Sequence, residues 1–150
     1  MAEPFRSHMD GALAEARAAA ARGEVPVGAV VVRDGSVIAA ASNRTRQDAD
    51  PTAHAEMLAL RAAAAALGSE RLAGCDLYVT LEPCAMCAGA IAAARIARLY
   101  YGAEDPKSGG VAHGARVFEH AQTHHAPEIY GGIGEAEAAG LLRDFFAARR

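Results

Sequence analysis

The sequence predicts an α/β layered fold, and three observations carry that prediction. Short apolar runs suited to strands alternate with longer stretches of helical spacing. Gly, Pro or Asp-Gly punctuation marks the changes between them. Two polar motifs, His54-Ala55-Glu56 and Cys84-Ala85-Met86-Cys87, each fall where a helix should open. Strands alternating with helices bury their apolar faces by packing helices onto a sheet.

From the N-terminus, Ser7 to Arg22 reads as a helix. Ser7 and Asp10 have capping-box spacing, Met9, Leu13, Ala16 and Ala20 form the apolar stripe, and Gly23 ends it. Val25 to Val32 is a strand in which Pro26 is tolerable only near the start. Asp34-Gly35 is a two-residue hairpin turn, returning through Val37-Ile38-Ala39. Asn43 to Asp50 is a polar loop, and Thr52 is the expected N-cap of a helix that holds His54 and Glu56 and stops at Gly68. Asp76 to Leu81 is a buried strand, and Pro83 suits the first position of a helix running to Ala94. Leu99 to Tyr101 is a fourth strand, Gly102 to His113 a loop, and Glu128 to Tyr130 a fifth strand. A last helix, ending at Arg150, places Leu141, Leu142, Phe145 and Phe146 on one stripe. His113 to Ala126 has little periodicity and no assigned element.

At 150 residues the chain is expected to form one domain, residues 1–150. The 52% hydrophobic content comes largely from alanine, which implies a closely packed core of small residues. No apolar window is long enough for a membrane span, and no basic-then-apolar leader opens the chain. Three cysteines, two of them in one motif, fit a reducing cytoplasm. The net charge of −3 argues against a nucleic-acid partner on charge alone, so any RNA contact must come from local placement of basic residues.

Cys84 and Cys87 are i,i+3 neighbours at a helix N-terminus, whose dipole favours the thiolates that a metal needs. A structural zinc site would show a second Cys-x-x-Cys or a His-x-x-x-His pair, and neither is present. His54 is the best third donor. A site of one His and two Cys leaves one position open, with Glu56 beside it as a carboxylate that binds no metal, which is the plan of a catalytic zinc. Cys75 is the alternative ligand and would close the site, but a strand separates it from Cys84. The bland alternatives are two core thiols, a cap histidine and a first-turn acid; it is their joint occurrence that favours the metal.

His54-Ala55-Glu56 with Pro83-Cys84-Ala85-Met86-Cys87 resembles the signature of zinc nucleobase deaminases. Glu24 to Val30, Asp50 to Glu56, Tyr78 to Cys84, Ala93 to Ile96 and Tyr101 to Lys107 resemble the bacterial tRNA adenosine deaminases of the cytidine/deoxycytidylate deaminase superfamily. The resemblance runs from about Met9 to Phe146 and weakens between Val111 and Glu128. It implies the three-layer cytidine-deaminase-like fold with a five-stranded mixed sheet. The implied reaction is hydrolytic deamination of adenosine to inosine at the wobble position of a tRNA anticodon stem-loop. One Zn2+ per chain on His54, Cys84 and Cys87 would activate water, with Glu56 as proton shuttle. Asn43, Ala55, Asp105 and Lys107 are the implied substrate contacts, and the resemblance implies a cytoplasmic homodimer. The alanine- and glycine-rich stretch from Cys87 to Ala94 could allow close subunit approach.

Two alternatives use the same residues. Guanine deaminases share the Glu-Pro-Cys-x-Met-Cys pattern, so a free base or nucleoside, guanine or cytidine, is an alternative substrate. A non-catalytic zinc-stabilised binding module is the alternative of a different class, and Glu56 argues against it, since a structural site has no use for an unliganded acid.

Overall fold

The computed structural model describes residues 5–149, so the expected end of the last helix at Arg150 lies outside the described residues. The elements are α1 (Met9–Ala21), β1 (Gly28–Arg33), β2 (Ser36–Ser42), α2 (Ala55–Leu67), β3 (Cys75–Leu81), α3 (Ala85–Ala94), β4 (Arg98–Ala103), β5 (Glu128–Tyr130) and α4 (Glu135–Ala147). One 3-10 turn, Val117–Glu119, lies in the stretch that had no assigned element. The five strands form one mixed sheet in the order β2-β1-β3-β4-β5. β1 runs antiparallel to both β2 and β3, whereas β3, β4 and β5 are mutually parallel.

Side-chain alternation along the strands divides the core between two faces. Ala29, Val31, Leu77, Val79, Leu99 and Tyr101 point to the face covered by α2 and α3. Val30, Val32, Tyr78 and Tyr100 point to the other face, under α1 and α4. The chain is therefore a three-layer α/β structure, as its sequence implies. Alanines 55, 59, 63 and 88 are all fully buried, which lets α2 and α3 lie close against the sheet.

The hairpin turn is built as expected, with Asp34 and Gly35 both at positive φ, 51° and 77°. Gly68 stops α2 in the left-handed conformation at φ 65°. Helix starts differ from the sequence reading by one or two residues. Ser7 accepts a hydrogen bond from the Met9 amide at 3.1 Å, but the N-cap is His8, and no capping box with Asp10 forms. Thr52 does not cap α2; its amide and hydroxyl both donate to Asp50 Oδ1, at 2.8 Å each. Pro83 likewise stands outside α3, and Cys84 takes the N-cap. β1 begins only at Gly28, so Pro26 lies before the strand rather than within it.

Candidate metal centre and active site

The two displaced helix starts are what build the site. His54 is the N-cap of α2, with φ −74° and ψ 151°, and Cys84 is the N-cap of α3, with φ −72° and ψ 174°. Extended backbone at an N-cap directs the side chain off the helix end instead of along a helical face. That resolves the problem of His54 and Glu56 two positions apart: the histidine precedes the helix, and Glu56 stands inside its first turn. Neither N-cap side chain makes a capping hydrogen bond of its own. Asn43 caps α2 from the neighbouring loop instead, its Oδ1 accepting the Ala55 amide at 2.8 Å.

His54 Nδ1 lies 3.6 Å from Cys84 Sγ and 3.4 Å from Cys87 Sγ. All three donor atoms fall within 4.8 Å of one another. A tetrahedral zinc with bonds of about 2.3 Å to sulfur and about 2.0 Å to nitrogen sets donor atoms about 3.5 Å apart, so the trio fits that ion in chemistry and spacing. Cys75, buried at the start of β3, is not part of the group.

The three donors perturb one another through short contacts and burial. Hydrogen bonds from Cys87 and His54 hold the Cys84 thiol down to about 4. Its hydrogen bond to Cys84, reinforced by burial, pushes the Cys87 thiol upward. Cys84 is therefore the more acidic thiol of the pair. Hydrogen bonding to Cys84 raises His54 despite its partial burial. Burial dominates at Glu56, which is 4% exposed and raised from 4.5 to about 7. A carboxyl that titrates near neutrality can both take and give a proton at working pH.

A groove of about 680 Å³ is lined by Leu81, Asp105, Lys107, Leu142, Phe146 and Arg149 among others. None of the metal donors lines it, nor does Glu56; it approaches the centre through Leu81, three positions before Cys84. Phe145 and Phe146 do not share a stripe. Phe145 is buried with the Arg149 guanidinium 3.5 Å above its ring, while Phe146 is 49% exposed in the groove. Asp105 spends its carboxylate on its own loop, accepting the Lys107 and Ser108 amides at 3.2 and 3.0 Å. Lys107 is exposed, and Asn43 and Ala55 sit at the mouth of α2.

Two buried acids that the sequence reading left without a role organise the loops around the site. Glu24 accepts the Arg46 and Gln47 amides at 3.2 and 2.7 Å, holding the loop that carries Asn43. Glu82 accepts the Asp105, Val111, Ala112 and His113 amides on the opposite side. Burial raises Glu82, but the His113 imidazole and those amides outweigh it and leave the carboxyl below its usual range. The signal in the sequence is a lone acid at the edge of an apolar strand, Glu24 before Val25 and Glu82 after Leu81.

The MafB19-like deaminase family model matches residues 4–150. The tRNA-specific adenosine deaminase of Agrobacterium fabrum is 59% identical over 146 residues, covering 97% of this chain and 96% of that protein. A solved structure from work on A-to-I editing by tRNA:A34 deaminases at the wobble position superposes with a TM-score of 0.89 at 59% identity, covering 91% of this chain and all of that one. A guanine deaminase from Nitrosomonas europaea superposes with a TM-score of 0.82 at 25% identity, covering 97% of this chain and 87% of the other.

Proposed function

The chain belongs to the MafB19-like deaminase family, and from that membership and the site's geometry we infer that it hydrolytically deaminates adenosine to inosine at the wobble position of a tRNA anticodon. The observation that carries this reading is the His54, Cys84 and Cys87 trio beside a buried, unliganded Glu56, in a chain so like the tRNA-specific adenosine deaminases.

His54 Nδ1 and the sulfurs of Cys84 and Cys87 would hold one zinc. When bound, the ion supplies the Lewis acidity that makes water a nucleophile at neutral pH. Glu56 takes a proton from the attacking water and delivers it to ring nitrogen 1, which makes carbon 6 electrophilic. The water oxygen bonds to carbon 6; Glu56 then takes the remaining proton from that hydroxyl and hands it to the amino group, so that the carbon 6–nitrogen bond breaks, ammonia leaves and the carbon 6 carbonyl forms. Water and adenosine are consumed, inosine and ammonia formed. Asn43, with its oxygen committed to the Ala55 amide, keeps its –NH2 to donate to a purine ring nitrogen. The Ala55 backbone forms the wall between that contact and the metal. Lys107 and the loop shaped by Asp105 face the RNA backbone, and Phe146 offers a ring on which a flanking base can stack. Bases in an anticodon loop are already partly unstacked, so extrusion costs less there than from a duplex.

The 150 residues act as one deaminase domain in a cytoplasmic homodimer, consistent with free thiols at the site. The subunits meet on α2 and α3, where Met57, Leu60, Ala64, Ala90 and Ala93, with Arg61 and Glu70 also among the lining residues, form a shallow depression of about 360 Å³. Small side chains there permit close helix approach. Among the described residues no helix is long and apolar enough to cross a membrane.

The fold is shared with a guanine deaminase, so the substrate is tested directly. Purified protein is offered an anticodon stem-loop with adenosine at the wobble position, free adenosine, free guanine and free cytidine. Inosine should form fastest from the stem-loop, and more slowly as salt rises. Fastest turnover of free guanine would remove the tRNA assignment and leave the metal assignment standing.

A further inference from the structure

Glu82 follows the last residue of β3 and stands two positions before the first cysteine of the metal group, with only 2% of its surface exposed. Its carboxylate has no Lys or Arg partner among the described residues; five N–H donors surround it instead. Oε1 accepts the Asp105 amide at 3.1 Å and lies 2.8 Å from His113 Nδ1. Oε2 accepts the amides of Val111, Ala112 and His113 at 3.2, 3.0 and 3.1 Å. A desolvated carboxylate is tolerable only when its lone pairs are so filled.

The loop from Glu104 to His113 is therefore wound around one side chain, and it also touches the metal-holding turn. Gly110 donates its amide to the Pro83 carbonyl at 2.8 Å. A Cβ on Gly110 would lie 2.5 Å from the Ala85 nitrogen, and one on Gly109 would collide with Glu82 Oε2. Only glycine lets this backbone approach so closely. The same loop carries Asp105 and Lys107 on the groove.

We propose that Glu82 is a positioning residue for the reaction: it fixes the loop that faces the substrate against the turn that holds the metal, and so sets where the target base stands relative to Glu56. This rests on the reading of that loop as substrate-facing. Glu82 touches no reacting atom, and its effect passes through the Asp105–His113 backbone. A misplacement on the order of 1 Å at a reacting centre costs roughly 100-fold in rate.

The test is Glu82→Gln, which keeps size and shape but turns an –NH2 toward donors whichever way the amide sits. With zinc stoichiometric and the protein well below its melting temperature, kcat at saturating stem-loop should fall on the order of 100-fold. Amide exchange at Val111, Ala112 and His113 should accelerate at least about tenfold, while the buried amides of α3 keep their protection. A merely structural role would lower the melting temperature and leave kcat at saturation intact, and that result overturns the proposal. Exchange in the parent needs no variant to fold. If the Val111, Ala112 and His113 amides exchange as freely as exposed loop amides, the clamp does not exist and the proposal is wrong. That measurement is independent of substrate, so a parent that ignores the stem-loop would sink the functional reading and leave the clamp standing or falling on its own.

Discussion

Replacing Glu56 with glutamine should stabilise the metal-free protein while removing its activity. Burial raises this carboxyl from 4.5 to about 7, a displacement equivalent to about 3 kcal/mol. The sign follows from which state holds the proton. Below about pH 4.5 the group is protonated in both states and contributes nothing. Between there and pH 7 the native state keeps a proton that the unfolded chain has released, so rising pH favours unfolding. Above pH 7 the full cost of a buried, ionised carboxylate is present. Glutamine has the same shape and no charge to desolvate. Its metal-free variant should exceed the parent by about 3 kcal/mol at pH 8, with the difference vanishing near pH 4. At about 2.1 cal/mol/K per residue, that is roughly 10 °C in melting temperature. Urea unfolding of chelator-treated, reduced protein across pH 4 to 8 measures it. Adding zinc should narrow the gap, because a dication nearby favours the carboxylate. In the zinc-loaded variant turnover should drop by about 100- to 10,000-fold, the usual worth of a positioned proton transfer. Equal pH dependence in the two proteins, or a variant weaker than the parent at pH 8, would refute the argument.

Other expected outcomes are simpler. Cys87→Ala removes a fully buried ligand, so metal analysis should find no stoichiometric zinc and the protein should be less stable; retained zinc would contradict the ligand set. Light scattering should give twice the chain mass at micromolar concentration, and Ala90→Arg in the α2–α3 depression should give the monomer. Phe146→Ala, at an exposed position, should leave stability within about 0.5 kcal/mol of the parent. It should raise KM for the stem-loop about tenfold, since stacking a base is worth about 1–3 kcal/mol. Phe145→Ala one position earlier empties a buried site and should cost about 3–5 kcal/mol, read by denaturant unfolding.

The strand-helix order was legible because each period is local, and all five strands and four helices lie within a few residues of their expected places. The trio His54, Cys84 and Cys87 was legible because spacing and residue chemistry restrict what such a group can do. The cap positions were not. A Thr two residues before a histidine is a good cap by propensity, but Asp50 already holds both of its donors, and Asn43, distant in sequence, supplies the cap. Adjacent helix positions point about 100° apart, and α4 turns Phe145 into the core and Phe146 into the groove, a choice set by tertiary packing that the helical period alone does not fix. The roles of Glu24 and Glu82 were beyond reach, because they depend on backbone amides brought from more than twenty positions away. The His113 to Ala126 stretch had no period to read because side-chain bonds to carbonyls hold much of it, such as His125 Nε2 to the Ile96 carbonyl at 2.7 Å.

The grip on the Glu104–His113 loop has a consequence for how this chain can change over generations. Four of the five donors to Glu82 are main-chain amides, and every amino acid except proline carries one. The loop's shape is thus indifferent to most of its own spelling. Side chains such as those of Glu104, Lys107 and Ser108 can be exchanged by mutation without disturbing the anchor. The two glycines and the Asp105 carboxylate are constrained, and proline is excluded at the four anchored positions and at 107 and 108, whose amides Asp105 accepts. On the proposed reading of this loop as substrate-facing, variation in what the groove accepts is uncoupled from the machinery that breaks the carbon–nitrogen bond. A lineage can explore new nucleobase partners by drift in a handful of exposed codons, and a library randomised at those three positions can do the same in one round of selection.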